Sequence, residues 1–132
     1  MKINYSTMVR TLFKNPHDLL ESMNAHKINL MHAAVGISGE SGEFLDAVKK
    51  YWAYGQVPDR QNMIEELGDI EFYLEAARQD MGVTREEVLA ANINKLSKRY
   101  EGFIFSNEAA QARKDKLTVD ATGNLDIRYG EG

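Results

Sequence analysis

Four acidic residues on two consecutive helical stretches carry the most pointed chemistry in this chain. Glu40 and Glu43 stand three positions apart, and Glu66 and Asp69 repeat that offset in the same sense. A helix turns about 100° per residue. Projected that way, Ala33, Gly36, Ile37, Phe44, Ala47, Val48 and Tyr51 share one arc, extended by Leu30 and Ala34. Glu40 falls in the middle of that arc and Glu43 at its edge, while Asp46, Lys49 and Gly42 take the opposite side. On the next stretch Met63, Leu67, Ile70, Leu74, Ala77 and Met81 form an arc with Glu66 inside it and Asp69 at its edge. An ionised carboxylate on a dry face without a partner is costly enough to take up a proton instead, and four together repel one another. These helices offer too few inward cations to compensate, so the pattern asks for a bound one. Carboxylate oxygens without thiolates select Mg²⁺, Mn²⁺ or Ca²⁺ over zinc. A lone E-x-x-E more often serves rim salt bridges; two pairs in phase, each at an apolar arc, favour the metal.

A second group suits an anion. Asn92, Lys95 and Arg99 lie within a quarter-turn of one another beside Val88, Leu89 and Leu96. Lys95 and Arg99 at i, i+4 repel mildly on an isolated helix, whereas a phosphate chain would use both, arginine gripping two oxygens. Long stems laid over apolar surface are the alternative. Trp52, Tyr54 and Tyr73 could stack on a base or fill a core, and His32, two turns before Glu40, could meet a ligand or a carboxylate or sit half-buried. Gly36 and Gly39 before Glu40, and Gly68 beside Asp69, permit close approach by a ligand or by another helix.

The elements that position these groups are helices. Only Pro16 and Pro58 interrupt a 3.6-residue periodicity. The spacing predicts short helices over 5–13 and 17–23, a long one over 24–53 closed near Gly55, and another opened by Asp59 and running to Gly82. Thr84 with Glu87 fits a capping box for a helix reaching Tyr100, and Ser106 caps a short one through Arg113. Residues 117–129 alternate apolar and polar around Gly123-Asn124, a small hairpin or a loose extension. The expectation is one all-α domain over 1–132, an antiparallel helical bundle with its motif-bearing core at 24–113 and a hairpin-like or extended tail at 114–132.

Composition narrows the function classes. The chain has 132 residues, 43% hydrophobic and 27% charged, with a net charge of −4. It therefore lacks the basic face that nucleic acid requires, and it would repel anionic membranes. With no cysteine, disulfides, thiolate zinc sites and cysteine nucleophiles are excluded. No run of about 18 apolar residues occurs and the first residues lack a signal-peptide core, so a cytoplasmic protein is expected. No phosphate-binding G-x-x-x-x-G-K-[S/T] loop, H-E-x-x-H motif or di-iron E-x-x-H pair is present.

Glu40-x-x-Glu43, about 22 intervening residues and Glu66-x-x-Asp69 resemble the signature of the MazG-like all-α nucleoside triphosphate pyrophosphohydrolases. The text around them agrees: HAAVGISGESGE from His32, EELGDI from Glu65, and Asn92-x-x-Lys95-x-x-x-Arg99-Tyr100. The resemblance covers roughly residues 24–113 and is closest to the compact, often phage-encoded members. The proline usual after the Arg-Tyr pair is replaced by Glu101. It implies Mg²⁺-dependent cleavage of a nucleotide between its α- and β-phosphates, with Mn²⁺ a possible substitute. Glu40, Glu43, Glu66 and Asp69 would be metal ligands, Lys95, Arg99 and Asn92 phosphate contacts, and His32, Trp52 and Tyr73 candidate nucleoside contacts. Homo-dimers or homo-tetramers, with sites shared between chains, are also implied. A carboxylate not fully used as a ligand could take the water's proton; Glu43 is the expected one, because Glu40 lies deeper. Phosphoribosyl-ATP or an alarmone as substrate, or a non-catalytic helical module binding a basic partner, are the competing readings.

Overall fold

The computed structural model describes residues 2–115 in full and the backbone of 118–119 and 125–126. The chain gathers into two compact units, Met1–Gly82 and Val83–Gly132.

The first unit contains α1 (Tyr5–Leu12), α2 (Pro16–Ser22), α3 (Ala25–Trp52) and α4 (Arg60–Met81). Each begins at a polar side chain that takes up an orphan backbone N–H. Asn4 accepts from Thr7, Asn15 from His17, Asn24 from Lys27 and Asp59 from Asn62. Pro16 sits at the first helical position of α2, where a missing N–H costs nothing. Gly82 closes α4 in the left-handed region at φ 66°, which a Cβ would disfavour.

α3 and α4 lie antiparallel, and contacts along their length fix the register. Near the loop between them, Glu40 of α3 approaches Glu66 and Asp69 of α4. Further along, the ring of Tyr73 lies against Gly36. At the far end Asn29 Nδ2 donates to Asp80 Oδ1 at 3.0 Å. His26 Nδ1 sits 2.6 Å from Asp80 Oδ2, an oxygen with no other partner among the described residues.

The apolar arcs face each other as the periodicity predicts, but one neighbour covers only the stripe where two cylinders touch. Ala33 and Ala47, 2% and 7% exposed, are the buried hydrophobic residues among those described. Leu30, Ile37, Phe44, Val48, Met63, Ile70, Leu74 and Ala77 are half-buried, whereas Tyr51, Leu67 and Met81, expected to be dry, remain exposed. Small residues occupy the closest approach and larger ones splay to its sides.

The second unit contains α5 (Arg85–Arg99), a single 3₁₀ turn (Glu101–Phe103), α6 (Asn107–Ala112) and two short strands, β1 (Thr118–Val119) and β2 (Leu125–Asp126). Thr84 and Glu87 form the reciprocal capping box read from the sequence. Ser106 caps α6 by accepting from Ala109. β1 and β2 pair antiparallel, Thr118 opposite Asp126 and Val119 opposite Leu125; of the two forms expected of the tail, a small hairpin or a loose extension, this matches the hairpin. The Gly123-Asn124 turn expected between them lies outside the described residues. Among the described residues the fold is all-α apart from this strand pair, and no helix is long and apolar enough to cross a membrane.

Candidate metal centre

The antiparallel register converts two sequence patterns into one cluster. Glu40, Glu66 and Asp69 each offer a carboxylate oxygen, and these atoms lie within 4.8 Å of one another. Glu40 and Glu66 are half-buried and Asp69 is exposed, so the cluster opens on one side. Partial burial pushes the Glu66 carboxyl above the usual glutamate range, and the charges of Glu43, Asp69, Glu40 and Glu65 push it the same way. Among the described residues, no ion pair or side-chain hydrogen bond reaches Glu40, Glu43, Glu66 or Asp69. An all-oxygen set of three converging carboxylates, with mutual repulsion that no ion pair among the described residues offsets, fits a hard divalent ion.

Glu43 stands outside the trio. It is exposed, yet close enough for its charge to act on Glu66. Of the two pairs, then, α4 supplies both members to the cluster and α3 supplies one.

The aromatic candidates separate. The His32 and Tyr73 rings lie 5.9 Å apart, inclined at 55°. Both line a cavity of about 460 Å³ that also includes Asn29, Ala33, Phe72 and Asp80. At 1.5 Å of rise per residue, His32 is about 12 Å along α3 from Glu40. Trp52 lies about 18 Å the other way, at the last position of the helix, and is 71% exposed. Gly36 owes its lack of a side chain to Tyr73, whereas Gly39 and Gly68 face open space.

Within the second unit, Asn92 and Lys95 are exposed on α5. Arg99 is already engaged: Nε donates to Asp115 Oδ1 at 2.6 Å and Nη2 to Oδ2 at 2.7 Å. The hydrogen bonds to Asp115 hold the guanidinium protonated well above its ordinary range. No sequence pattern pointed to Asp115, because its contact with Arg99 spans the 3₁₀ turn and α6.

The family model described as the MazG nucleotide pyrophosphohydrolase domain matches residues 30–104, more than half of the chain. No curated protein and no solved structure matches it. The matched span includes both acidic pairs and Asn92, Lys95 and Arg99, and ends before Asp115.

Proposed function

Because the chain belongs to the MazG nucleotide pyrophosphohydrolase family, we propose that it hydrolyses a nucleoside or deoxynucleoside triphosphate between the α- and β-phosphates, as one pyrophosphohydrolase domain acting in the cytoplasm. The observation that carries this reading is the convergence of Glu40, Glu66 and Asp69 within 4.8 Å. Mg²⁺, or Mn²⁺ in its place, is the ion these oxygens would hold. When bound, such an ion offsets polyphosphate charge and acidifies a coordinated water.

The chain's own groups supply the rest. Exposed and outside the trio, Glu43 has a carboxylate free to accept the proton of the attacking water. The water oxygen bonds to the α-phosphorus as the bond to the bridging oxygen breaks, and pyrophosphate leaves with that electron pair. Lys95, Arg99 and Asn92 hold phosphate oxygens by charge and hydrogen bonding. The His32–Tyr73 cavity receives the nucleoside, and Trp52, on the far side of Glu40 along α3, would stack on it only if the nucleotide bound in the opposite orientation.

The working form is a dimer or tetramer of this chain. Val35 and Leu45 on α3, 66% and 61% exposed, and Phe72 on α4, 67% exposed, leave the α3–α4 pair with apolar surface that a second copy would cover.

The test is incubation of the purified chain with Mg²⁺ and the eight common NTPs and dNTPs, together with phosphoribosyl-ATP and an alarmone. The expected result is equimolar monophosphate and pyrophosphate from at least one triphosphate. Release from phosphoribosyl-ATP or the alarmone alone would transfer the reading to that substrate. No release from any, with no metal-dependent rise in melting temperature, would leave the helical interaction module.

A further inference from the structure

Asp115 lies just beyond α6, and its side chain is only 1% exposed. A carboxylate so buried stays charged only with a strong partner, and both its oxygens accept from the Nε–Nη2 edge of Arg99. Guanidinium has five N–H donors in a rigid plane. This pairing uses two and leaves three, on Nη1 and the outer position of Nη2, with the neighbouring Tyr100 side chain also acting on the guanidinium. Arg99, 19% exposed, also lines a cavity of about 580 Å³ with Lys98, Lys114, Ser97 and Ser106. The carboxylate thus backs one edge of the guanidinium, and the accessible remainder of the side chain borders a cavity whose lining carries Lys98 and Lys114 together with Glu101 and Glu108.

We propose that Asp115 is a positioning residue: it fixes the plane of Arg99 so that the unused guanidinium edge is presented to a phosphate oxygen. The inference rests on the reading above that Arg99 meets the polyphosphate. The bidentate pairing holds Asp115 on one edge of the guanidinium, and an anion adds at the other. The Asp115 charge itself weakens the attraction of an anion, so its contribution is orientation. An arginine already held in its working rotamer spares the ordering cost of binding, equivalent to about 3- to 10-fold in affinity.

The experiment is calorimetric titration of the full chain with inorganic tripolyphosphate and Mg²⁺, which needs no turnover, followed by nucleotide kinetics. Asp115→Asn is expected to weaken tripolyphosphate binding about 3- to 10-fold and to raise KM by a similar factor, with kcat within about twofold. Combined with Arg99→Lys, it should add nothing to the loss from Arg99→Lys alone. If Asp115→Asn does not give the wild-type circular dichroism spectrum, Asp115→Glu replaces it, keeping the charge but moving the carboxylate by one methylene, with the same loss expected. Unchanged affinity in a folded variant would overturn the proposal and reduce the pair to a fastening of the chain after α6 onto α5. Tighter binding would overturn it too, making Asp115 a competitor of the anion. A wild-type chain that does not bind tripolyphosphate overturns it along with the phosphate role of Arg99. One that binds tripolyphosphate but cleaves no nucleotide defeats only the hydrolase reading.

Discussion

The Tyr73 ring on α4 rests against the backbone of Gly36 on α3, so closely that a Cβ at position 36 would overlap Cγ, Cδ1 and Cε1 of the ring. Gly36→Ala must push the ring aside or part the helices, and should cost about 1–3 kcal/mol of stability. Gly39→Ala and Gly68→Ala meet nothing within 4 Å and should gain about 0.5–1 kcal/mol from helix propensity. Urea unfolding of the three variants checks the contrast. Equal effects at all three positions would mean that Tyr73 does not hold this place.

Replacing a carboxylate of the cluster by its amide keeps shape and removes charge. Glu40→Gln, Glu66→Gln and Asp69→Asn should each lower turnover by at least about 100-fold and abolish the rise in melting temperature on adding Mg²⁺. Glu43→Gln should be equally inactive yet keep that rise, because Glu43 lies outside the trio. Far-UV circular dichroism should show intact helices throughout. A Glu43→Gln chain that also loses its Mg²⁺ response would make Glu43 a ligand.

The raised Glu66 carboxyl ties stability to pH in a definite direction. A group whose folded pKa exceeds its unfolded value binds its proton more tightly in the folded state. Its contribution is therefore fully present below the ordinary glutamate value of 4.5 and is lost as pH rises through the folded pKa. Without metal, that part of the stability should decline above this point. Mg²⁺ should reverse the decline, giving the largest melting-temperature gain near neutrality and almost none below about pH 4.5, where protons occupy the oxygens. Thermal melts of wild type and Glu66→Gln, with and without Mg²⁺, read both effects. A gain independent of pH would place the ion elsewhere.

If a second copy covers the α3–α4 pair, a charge on its apolar surface should oppose association. Val35→Lys and Leu45→Lys are expected to shift the chain toward monomer in light scattering, with dissociation promoted at least about 10-fold, since each buries an unpaired ammonium. A wild-type chain already monomeric at micromolar concentration would remove the assembly from the proposed function.

Helix starts were legible because they depend on local chemistry. Asp59, Thr84 and Ser106 cap where their spacing to the following apolar residues says they should. Projection also found the acidic cluster, since a carboxylate inside an apolar arc must face the neighbouring helix. It could not say which edge of an arc turns toward that neighbour. Glu43 and Asp69 both sit at edges, yet only Asp69 joins Glu40 and Glu66, because angles on one cylinder leave the lateral position of the other undetermined. Burial was overestimated for the same reason: Tyr51, Leu67 and Met81 lie on the inward arcs, but a single neighbour does not reach them. Asp115 was not legible at all, since a carboxylate beyond a 3₁₀ turn and a short helix has no period linking it to Arg99.

Asn4, Asn15, Asn24, Asp59, Thr84 and Ser106 each accept a backbone N–H of their own helix within its first turn. All six α-helices among the described residues can therefore start before any distant part of the chain arrives. What remains for the slower search is the docking of rods whose ends are already set. Chains dominated by such short-range order fold quickly, on the order of microseconds to milliseconds, and the same is expected of this one.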